Sequence, residues 1–174
     1  MAITPFRLLM PMILGCLIVP SAFAESGRAD YDLDDDGLIE INSLADLNEI
    51  RNNLDGTSLY GDSIGCPVDG CIGFELTTTL DFDTNADGVM DAHDAYWNEG
   101  NGWEPVGTDY DTAFTSIFDG NGYQIRNLYI NRTSTSYVGL FGYITGESAL
   151  LRNIGLTGEL MQVQGSIYVG GLVG

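Results

Sequence analysis

Oxygen-bearing side chains recur at alternating positions between Asp83 and Asp94, in the spacing of a twelve-residue calcium-binding loop. In such a loop, position 7 supplies a backbone carbonyl and position 9 reaches the cation through water, while a glycine at position 6 permits the sharp turn. A hard cation needs several oxygen ligands, and this spacing wraps them around one centre. The loop therefore predicts a structural Ca²⁺ site with the ligands Asp83, Asn85, Asp87, Val89, Asp91 and Asp94.

This loop differs from a standard EF-hand in two ways. Asp94 stands at position 12, where a bidentate Glu is usual, so the site should close more weakly or accept a smaller ion. Residues 74–82, which precede the loop, have the composition of a strand rather than of a helix. The alternative is an acidic Asx turn that binds no metal. His93 falls at a non-ligand position and is expected to be exposed.

A second loop of the same type begins at Asp32 and matches the pattern less completely. Its first six positions fit, but position 12 falls on Ser43, which is also a candidate helix cap. This loop could hold calcium with a closing ligand from elsewhere; the alternative is a solvated acidic run. Its candidate ligands are Asp32, Asp34, Asp36, Leu38 and Glu40.

Two of the three cysteines lie close together, at Cys66 and Cys71, in a loop bent by proline and glycine. In an oxidising compartment they are expected to form a disulfide that fixes a turn. Closing so short a loop removes little entropy from the unfolded chain. A two-cysteine zinc site is a weak alternative, because His93 is the only histidine in the sequence.

The first 24 residues have the pattern of a secretory signal peptide. Arg7 precedes an apolar run, and small residues then predict cleavage between Ala24 and Glu25. The apolar run is shorter than the roughly 20 residues of a membrane span, so the mature chain is expected to contain no transmembrane segment. Lipoprotein processing at Cys16 is a minority alternative, because the apolar run continues past that cysteine. The protein is therefore expected to be exported, either secreted or held at the cell surface.

The 174-residue chain is strongly acidic, with 25 Asp and Glu against 6 Arg and a net charge of −19. Such a charge argues against nucleic acid as a partner, because phosphate backbones are bound by basic patches. Divalent cations are the natural counterions. Residues 25–119 hold 23 of the acids and two arginines, a net of −21, whereas residues 120–174 have a net of +1.

One helix is predicted in the acidic part, with Ser43 as its N-cap and Asp46 three residues later. Gly56 is placed to end it after about three turns. The residues expected on its apolar face are Leu44, Leu47, Ile50 and Leu54.

The second part repeats itself. Residues 125–130 match residues 151–156 at an offset of 26, and residues 137–142 match residues 168–174. Repeats of this length, built from short strand-like runs between glycines, are typical of a solenoid. If the matched segments stack, Asn127 and Asn153 form an asparagine ladder at a turn, and Arg126 and Arg152 fall in register. The alternative is that each asparagine only tolerates a turn conformation.

Residues 118–128, 137–142 and 170–174 resemble the GLUG-motif repeats of large bacterial secreted proteins, which also occur in the non-catalytic N-terminal regions of IgA-specific metallopeptidases. The resemblance covers roughly residues 103–174 and implies a right-handed parallel β-helix or a similar solenoid on a secreted or surface protein. A metallopeptidase would need a zinc motif such as H-E-x-x-H, which a chain with one histidine lacks.

Together these patterns predict an all-β, right-handed parallel β-helix-like solenoid with an acidic N-terminal cap that contains one short helix. The expected organisation is a signal peptide at 1–24, the cap at 25–102 and the repeats at 103–174. The expected function is a calcium-stabilised surface or adhesive module without catalysis, whose partners are divalent cations and surface glycans or proteins. The alternatives are a fragment of a polysaccharide-active β-helix enzyme, with Arg126 and Arg152 as candidate bases, and a non-catalytic region of a larger secreted protease.

Overall fold

Nine short strands pair in parallel between successive turns of the chain within residues 28–174, the part of the chain that the computed structural model describes. The predicted signal peptide, the Ala24–Glu25 cleavage site and Cys16 lie outside the described residues. The strands are β1 (Leu38–Ile41), β2 (Gly73–Leu76), β3 (Leu80–Asp81), β4 (Ile117–Asp119), β5 (Gln124–Arg126), β6 (Tyr129–Asn131), β7 (Leu150–Arg152), β8 (Gly155–Thr157) and β9 (Gln162–Gln164).

The strands form three sheets that run along the solenoid. The first sheet has the order β1-β2-β4-β7, the second β3-β5-β8 and the third β6-β9. The first sheet contributes one strand to each of four successive turns, so the chain winds through about four turns. The predicted all-β solenoid with one short helix is therefore confirmed.

The interior of the solenoid is filled by apolar side chains that stack in register from turn to turn. Along the first sheet, Ile39 lies beside Phe74, Phe74 beside Phe118, and Phe118 beside Leu151. The first three of these side chains are fully buried. Each strand is too short to bury its own apolar side chains, so adjacent turns must cover one another. Fully burying a side chain of this size contributes about 1.5–3 kcal/mol.

The predicted helix is present but shorter than expected. Helix α1 spans Leu44–Glu49 and continues as one 3₁₀ turn to Asn52. As predicted, the Ser43 hydroxyl caps it by accepting a hydrogen bond from the Asp46 backbone N–H at 3.1 Å. The chain leaves the helix several residues before Gly56, so this glycine serves a later turn with φ of +75°.

The structural repeat differs from the 26-residue offset in the sequence. Ile125 pairs with Leu156, 31 positions later, and Ile130 pairs with Val163, 33 positions later. The matched segments 125–130 and 151–156 therefore follow different sheets, and they resemble each other because both turn a corner. The expectation that Asn127 stacks on Asn153 is consequently wrong.

These asparagines instead join neighbouring turns through their side chains. Asn153 donates to the Asp119 carboxylate at 3.0 Å, and Asn127 donates to the Asp81 carboxylate at 2.8 Å. Asn121 donates in the same way to Glu75 at 3.0 Å. In each case the corner amide of one turn reaches an acid of the preceding turn. The three corner asparagines have φ of 49° to 55°, the left-handed region that Asn tolerates better than most residues.

The first sheet crosses the predicted boundary between the N-terminal cap and the repeats. Strands β1 and β2 belong to residues 25–102, yet β2 pairs with β4 in residues 103–174.

The predicted Cys66–Cys71 disulfide is present, with the two Cα atoms 5.2 Å apart. It closes a loop between the first and second turns.

Replacing Asn127 should separate the contribution of its side-chain hydrogen bonding from that of its left-handed backbone conformation. Asn127→Gly keeps the left-handed backbone accessible but removes the hydrogen bond to Asp81 and the one accepted from the Leu160 N–H, so we expect a loss of about 1–2 kcal/mol of unfolding free energy. Asn127→Ala should lose about 1–2 kcal/mol more, because alanine resists positive φ. Urea unfolding of both variants measures this, and equal losses would contradict a role for the backbone conformation.

Candidate metal centre and the adjoining cleft

The chain turns sharply between Asp32 and Leu38 because one side chain collects the backbone N–H groups of the turn. The Asp32 carboxylate accepts hydrogen bonds from the backbone N–H of Asp36 at 3.0 Å and of Gly37 at 2.8 Å. The Asp36 carboxylate accepts from the Leu38 N–H at 2.8 Å. Gly37 has φ of +87°, which a glycine adopts without strain. The side-chain acceptors of Asp32 and Asp36 therefore fix the shape of this turn.

Glu40 folds back onto this turn from strand β1. Its Oε1 accepts a hydrogen bond from the Leu33 N–H at 2.6 Å. Side-chain oxygens of Asp32, Asp34 and Glu40 lie within 4.8 Å of one another. Asp32 is 0% exposed and Glu40 4% exposed, whereas Asp34 faces solvent. Three of the five candidate ligands of the second loop therefore converge, as a cation site requires.

The second carboxylate oxygen of Glu40, Oε2, is buried and has no hydrogen-bond partner. The lack of a partner follows from the fold. Glu40, Glu75 and Asp119 occupy the same register position on successive strands of the first sheet. Corner asparagines of the following turn serve the other two acids, but Thr77 stands in the second turn where Asn121 stands in the third. Glu40 thus receives no corner amide.

Negative charge at this cluster is poorly compensated by the protein. Burial raises the pKa of Asp32, and the negative charges of Asp36 and Asp34 raise it further. The hydrogen bonds from the Gly37 and Asp36 N–H groups lower it but do not cancel the rise. Burial also raises the pKa of Glu40, again helped by neighbouring carboxylates. The nearby cation Arg28 pairs with the Asp46 carboxylate and donates to the Glu40 backbone carbonyl. A bound cation would supply the missing positive charge.

The disulfide loop supports the turn from the side. The Ile72 N–H, next to Cys71, donates to the Gly37 carbonyl at 2.9 Å, and Cys71 Sγ lies 3.7 Å from Asp32 Oδ2. The Tyr31 N–H donates to the Ile64 carbonyl at 2.7 Å. The segment before the second turn therefore holds Asp32 in place.

The Asp83 loop adopts the same turn without the same convergence of carboxylates. Asp83 accepts from the N–H of Asp87 at 3.2 Å and of Gly88 at 3.0 Å, as Asp32 does in its own loop. The buried Asp94, however, accepts from the N–H groups of Thr84 and Asp91, one on each oxygen. Within residues 28–174, three acidic groups converge at the Asp32 loop and not here. Calcium binding by the Asp83 loop remains a prediction.

The remaining candidate residues of the Asp83 loop are mostly at the surface. Asn85 and Val89 are exposed, and Asp91 is partly exposed. The His93 backbone N–H donates to Asp91 and is the main cause that lowers the pKa of that carboxyl. The exposed His93 ring, with Nδ1 2.9 Å from Asp91 Oδ1, lowers it further. The loop follows β3 rather than a helix, as its sequence predicted.

Glu75 is a site residue that the loop motifs do not reveal. Its side chain is buried, and burial raises its pKa to about 7, with further contributions from Asp36, Asp34, Glu40 and Asp119. A sequence signal was available, because an acid directly after a buried apolar residue recurs in β1, β2 and β4. Recognising that these acids stack requires the strand register, and the 26-residue repeat in the sequence gives the wrong register.

Asp119 shows how the same position behaves when its partners are present. Burial raises the pKa of Asp119, but hydrogen bonds from the Asn121 N–H, the Asn153 amide and Arg152 outweigh this and lower it. Arg152 Nε lies 2.6 Å from Asp119 Oδ2. The ionised acid is therefore stable in the third turn.

The arginines expected in register lie on different sheets. Arg126 pairs with Thr157 in the second sheet, and its Nε is 3.8 Å from an Asp81 oxygen. Arg152 stacks on Asp119 in the first sheet. The expectation of an in-register pair is wrong, and both side chains lie beside carboxylates.

An open cleft of about 880 Å³ adjoins the acidic cluster. Asp34 and Glu40 line it, and the remaining lining includes Glu75, Asn121 and Tyr123. The cleft thus connects the candidate cation site in the first turn with the corner of the third turn.

Two known proteins are similar to parts of the chain. A Gly-rich membrane protein of Evansella cellulosilytica is 49% identical over 76 residues, which are 43% of this chain and 9% of that protein. Halomucin of Haloquadratum walsbyi is 32% identical over 139 residues, which are 80% of this chain and 1% of that protein. The chain therefore spans a small fraction of both relatives. No protein-family model and no solved structure matches it. Within the described residues, no helix is long and apolar enough to cross a membrane.

The raised pKa of Glu75 predicts how stability depends on pH when calcium is chelated. Between about pH 4.5 and 7 the folded protein keeps a proton on Glu75 that the unfolded chain releases, so stability should fall as pH rises through this range. We expect the melting temperature in EDTA to be lower at pH 8 than at pH 5, and Glu75→Gln to reduce the difference. Each 1 kcal/mol corresponds to about 2–4 °C.

Calorimetry at several pH values measures this effect, with Glu147→Gln as the control. Glu147 is exposed, and its substitution should leave the pH profile unchanged. If Glu75→Gln left the dependence of melting temperature on pH unchanged, the assignment of this dependence to Glu75 would be wrong.

Proposed function

We propose that the chain is a β-solenoid segment of an exported surface protein, that it acts as an interaction module without catalysis, and that Ca²⁺ stabilises its first turn. The observation that carries the calcium part is the buried, unpartnered Oε2 of Glu40 within the Asp32, Asp34 and Glu40 cluster. A buried carboxylate oxygen without a partner is costly, and a cation offsets that cost directly.

Surface location is supported by the two relatives, a membrane protein and halomucin, and by the charge of −19. The carboxylates of an acidic surface repel one another, and divalent cations reduce this repulsion. The signal-peptide pattern of residues 1–24 and the resemblance to GLUG-motif repeats favour the same assignment.

The proposed absence of catalysis is supported by the positions of the arginines that the enzyme alternative would use as bases. Arg152 is held by Asp119, and Arg126 lies beside Asp81. A guanidinium paired with a carboxylate is engaged by that contact rather than presented to a substrate.

Calcium should raise thermal stability through the Asp32 loop. At a free Ca²⁺ concentration 100 times the Kd, binding contributes about 2.7 kcal/mol, which corresponds to roughly 5–10 °C in melting temperature for a domain of this size. Scanning calorimetry of the purified protein with Ca²⁺ and with EDTA measures the shift, and isothermal titration gives the stoichiometry. An equal melt in both conditions would refute calcium stabilisation.

Glu40→Gln provides the sharper test because it should raise the melting temperature in EDTA and remove most of the further rise that Ca²⁺ causes. Removing the buried charge relieves repulsion from Asp32 and Asp34, so the variant should melt at a higher temperature than the parent in EDTA. The same change removes a ligand and should abolish most of the calcium response.

Asp83→Asn is the matched control in the other loop. Loss of the response in Glu40→Gln but not in Asp83→Asn would assign stabilisation to the first loop. The reverse result would assign it to the Asp83 loop, and a second binding event lost only in Asp83→Asn would show that both loops bind.

A further inference from the structure

The cleft beside the cation site offers a second set of groups that the proposed calcium site does not use. Asn42, Thr77 and Asn121 lie along it with Tyr123, so amides, a hydroxyl and an aromatic ring share one concave surface. Tyr123 is 39% exposed, which leaves part of its ring accessible from solvent. A pocket of about 880 Å³ is within the usual range of ligand sites.

The chemistry of these groups suits a ligand rich in hydroxyls. Carboxylate and amide oxygens accept hydrogen bonds from hydroxyls, while amide N–H groups and the Thr hydroxyl can donate to them. The exposed ring of Tyr123 provides an apolar surface with a polar end, against which the C–H face of a sugar ring can pack.

Charge decides between a neutral and an acidic ligand. Asp30, Asp34, Glu40 and Glu75 line the cleft, and the guanidinium of Arg28 is engaged by Asp46 and by a backbone carbonyl. One divalent cation would leave this surface with a negative excess, so a polyanionic glycan would still be repelled. A neutral ligand avoids that repulsion.

The cation site itself opens toward the cleft. Asp34 and Glu40 belong both to the convergent acidic group and to the cleft lining. A protein site with few carboxylates does not fill the 6–8 oxygen positions of Ca²⁺, and the rest are taken by water or by ligand oxygens. Two neighbouring sugar hydroxyls are suited to replace such waters.

We propose that this cleft binds a neutral glycan, with a vicinal hydroxyl pair completing the coordination of Ca²⁺ held by Asp32, Asp34 and Glu40 and with a sugar ring packed on Tyr123. The proposal rests on the calcium site proposed above and names the partner of that site. It assigns the surface module a ligand class, neutral polyhydroxylated sugars, and makes the recognition calcium-dependent.

Isothermal titration of the full protein with soluble oligosaccharides tests this proposal. The probes are neutral oligomers of mannose, galactose and glucose, with tri-galacturonate as the acidic comparison, each in Ca²⁺ and in EDTA. We expect at least one neutral oligomer to bind in Ca²⁺ and not in EDTA. Tyr123→Ala should weaken that binding at least tenfold and leave the calcium-induced rise in melting temperature unchanged.

Tyr110→Ala is the matched control, because Tyr110 is 71% exposed and does not line the cleft. It should bind sugar like the parent. A calcium-induced rise in melting temperature without neutral-sugar binding would overturn this inference and leave the calcium site standing. No calcium response at all would overturn both. Binding that persists in EDTA, or binding of tri-galacturonate alone, would also overturn the inference.

Discussion

Parallel stacking in register is the constraint on which this structure depends. When each turn lies directly above the last, an inward position in one strand is an inward position in the next, and apolar side chains form continuous columns. The same geometry applies to the outward positions. Glu40, Glu75 and Asp119 therefore lie one strand apart, at a strand spacing of about 4.8 Å. A sheet that organises its core this way also brings like charges together on its outer face.

The protein handles these stacked acids differently in each turn. Asp119 accepts hydrogen bonds from the Asn121 backbone N–H, the Asn153 side-chain amide and Arg152, and its pKa is lowered despite burial. Glu75 has the Asn121 amide but several acidic neighbours, and burial raises its pKa to about 7. Glu40 has only the Leu33 N–H on one oxygen and nothing on the other. The deficit of hydrogen bonds and positive charge is thus concentrated at the end of the ladder next to the Asp32 loop.

Sequence patterns predicted the local features of the structure well. The Ser43 cap, the disulfide and the wrapped turn at Asp32 each depend on neighbouring residues, and the structure contains all three. The solenoid class was predicted from the repeats, and the structure contains it too. Features that depend on register were not accessible. The 26-residue similarity compares one corner with another, because Asn127 and Asn153 each follow an arginine and each turn a corner with positive φ. Glu75 escaped notice for the same reason, since its neighbours in space come from other turns.

The corner asparagines give the solenoid a modular character. Each of Asn121, Asn127 and Asn153 supplies its donor to the turn before it, and the third turn also carries Asp119 as the acceptor for the turn after it. A gene segment encoding one such turn brings a donor and an acceptor together when it is duplicated. At the Asp119 corner a junction made by duplication would then already be matched, whereas the Asn127 amide of a duplicated turn would face Arg126 in place of Asp81 and would need one compensating substitution.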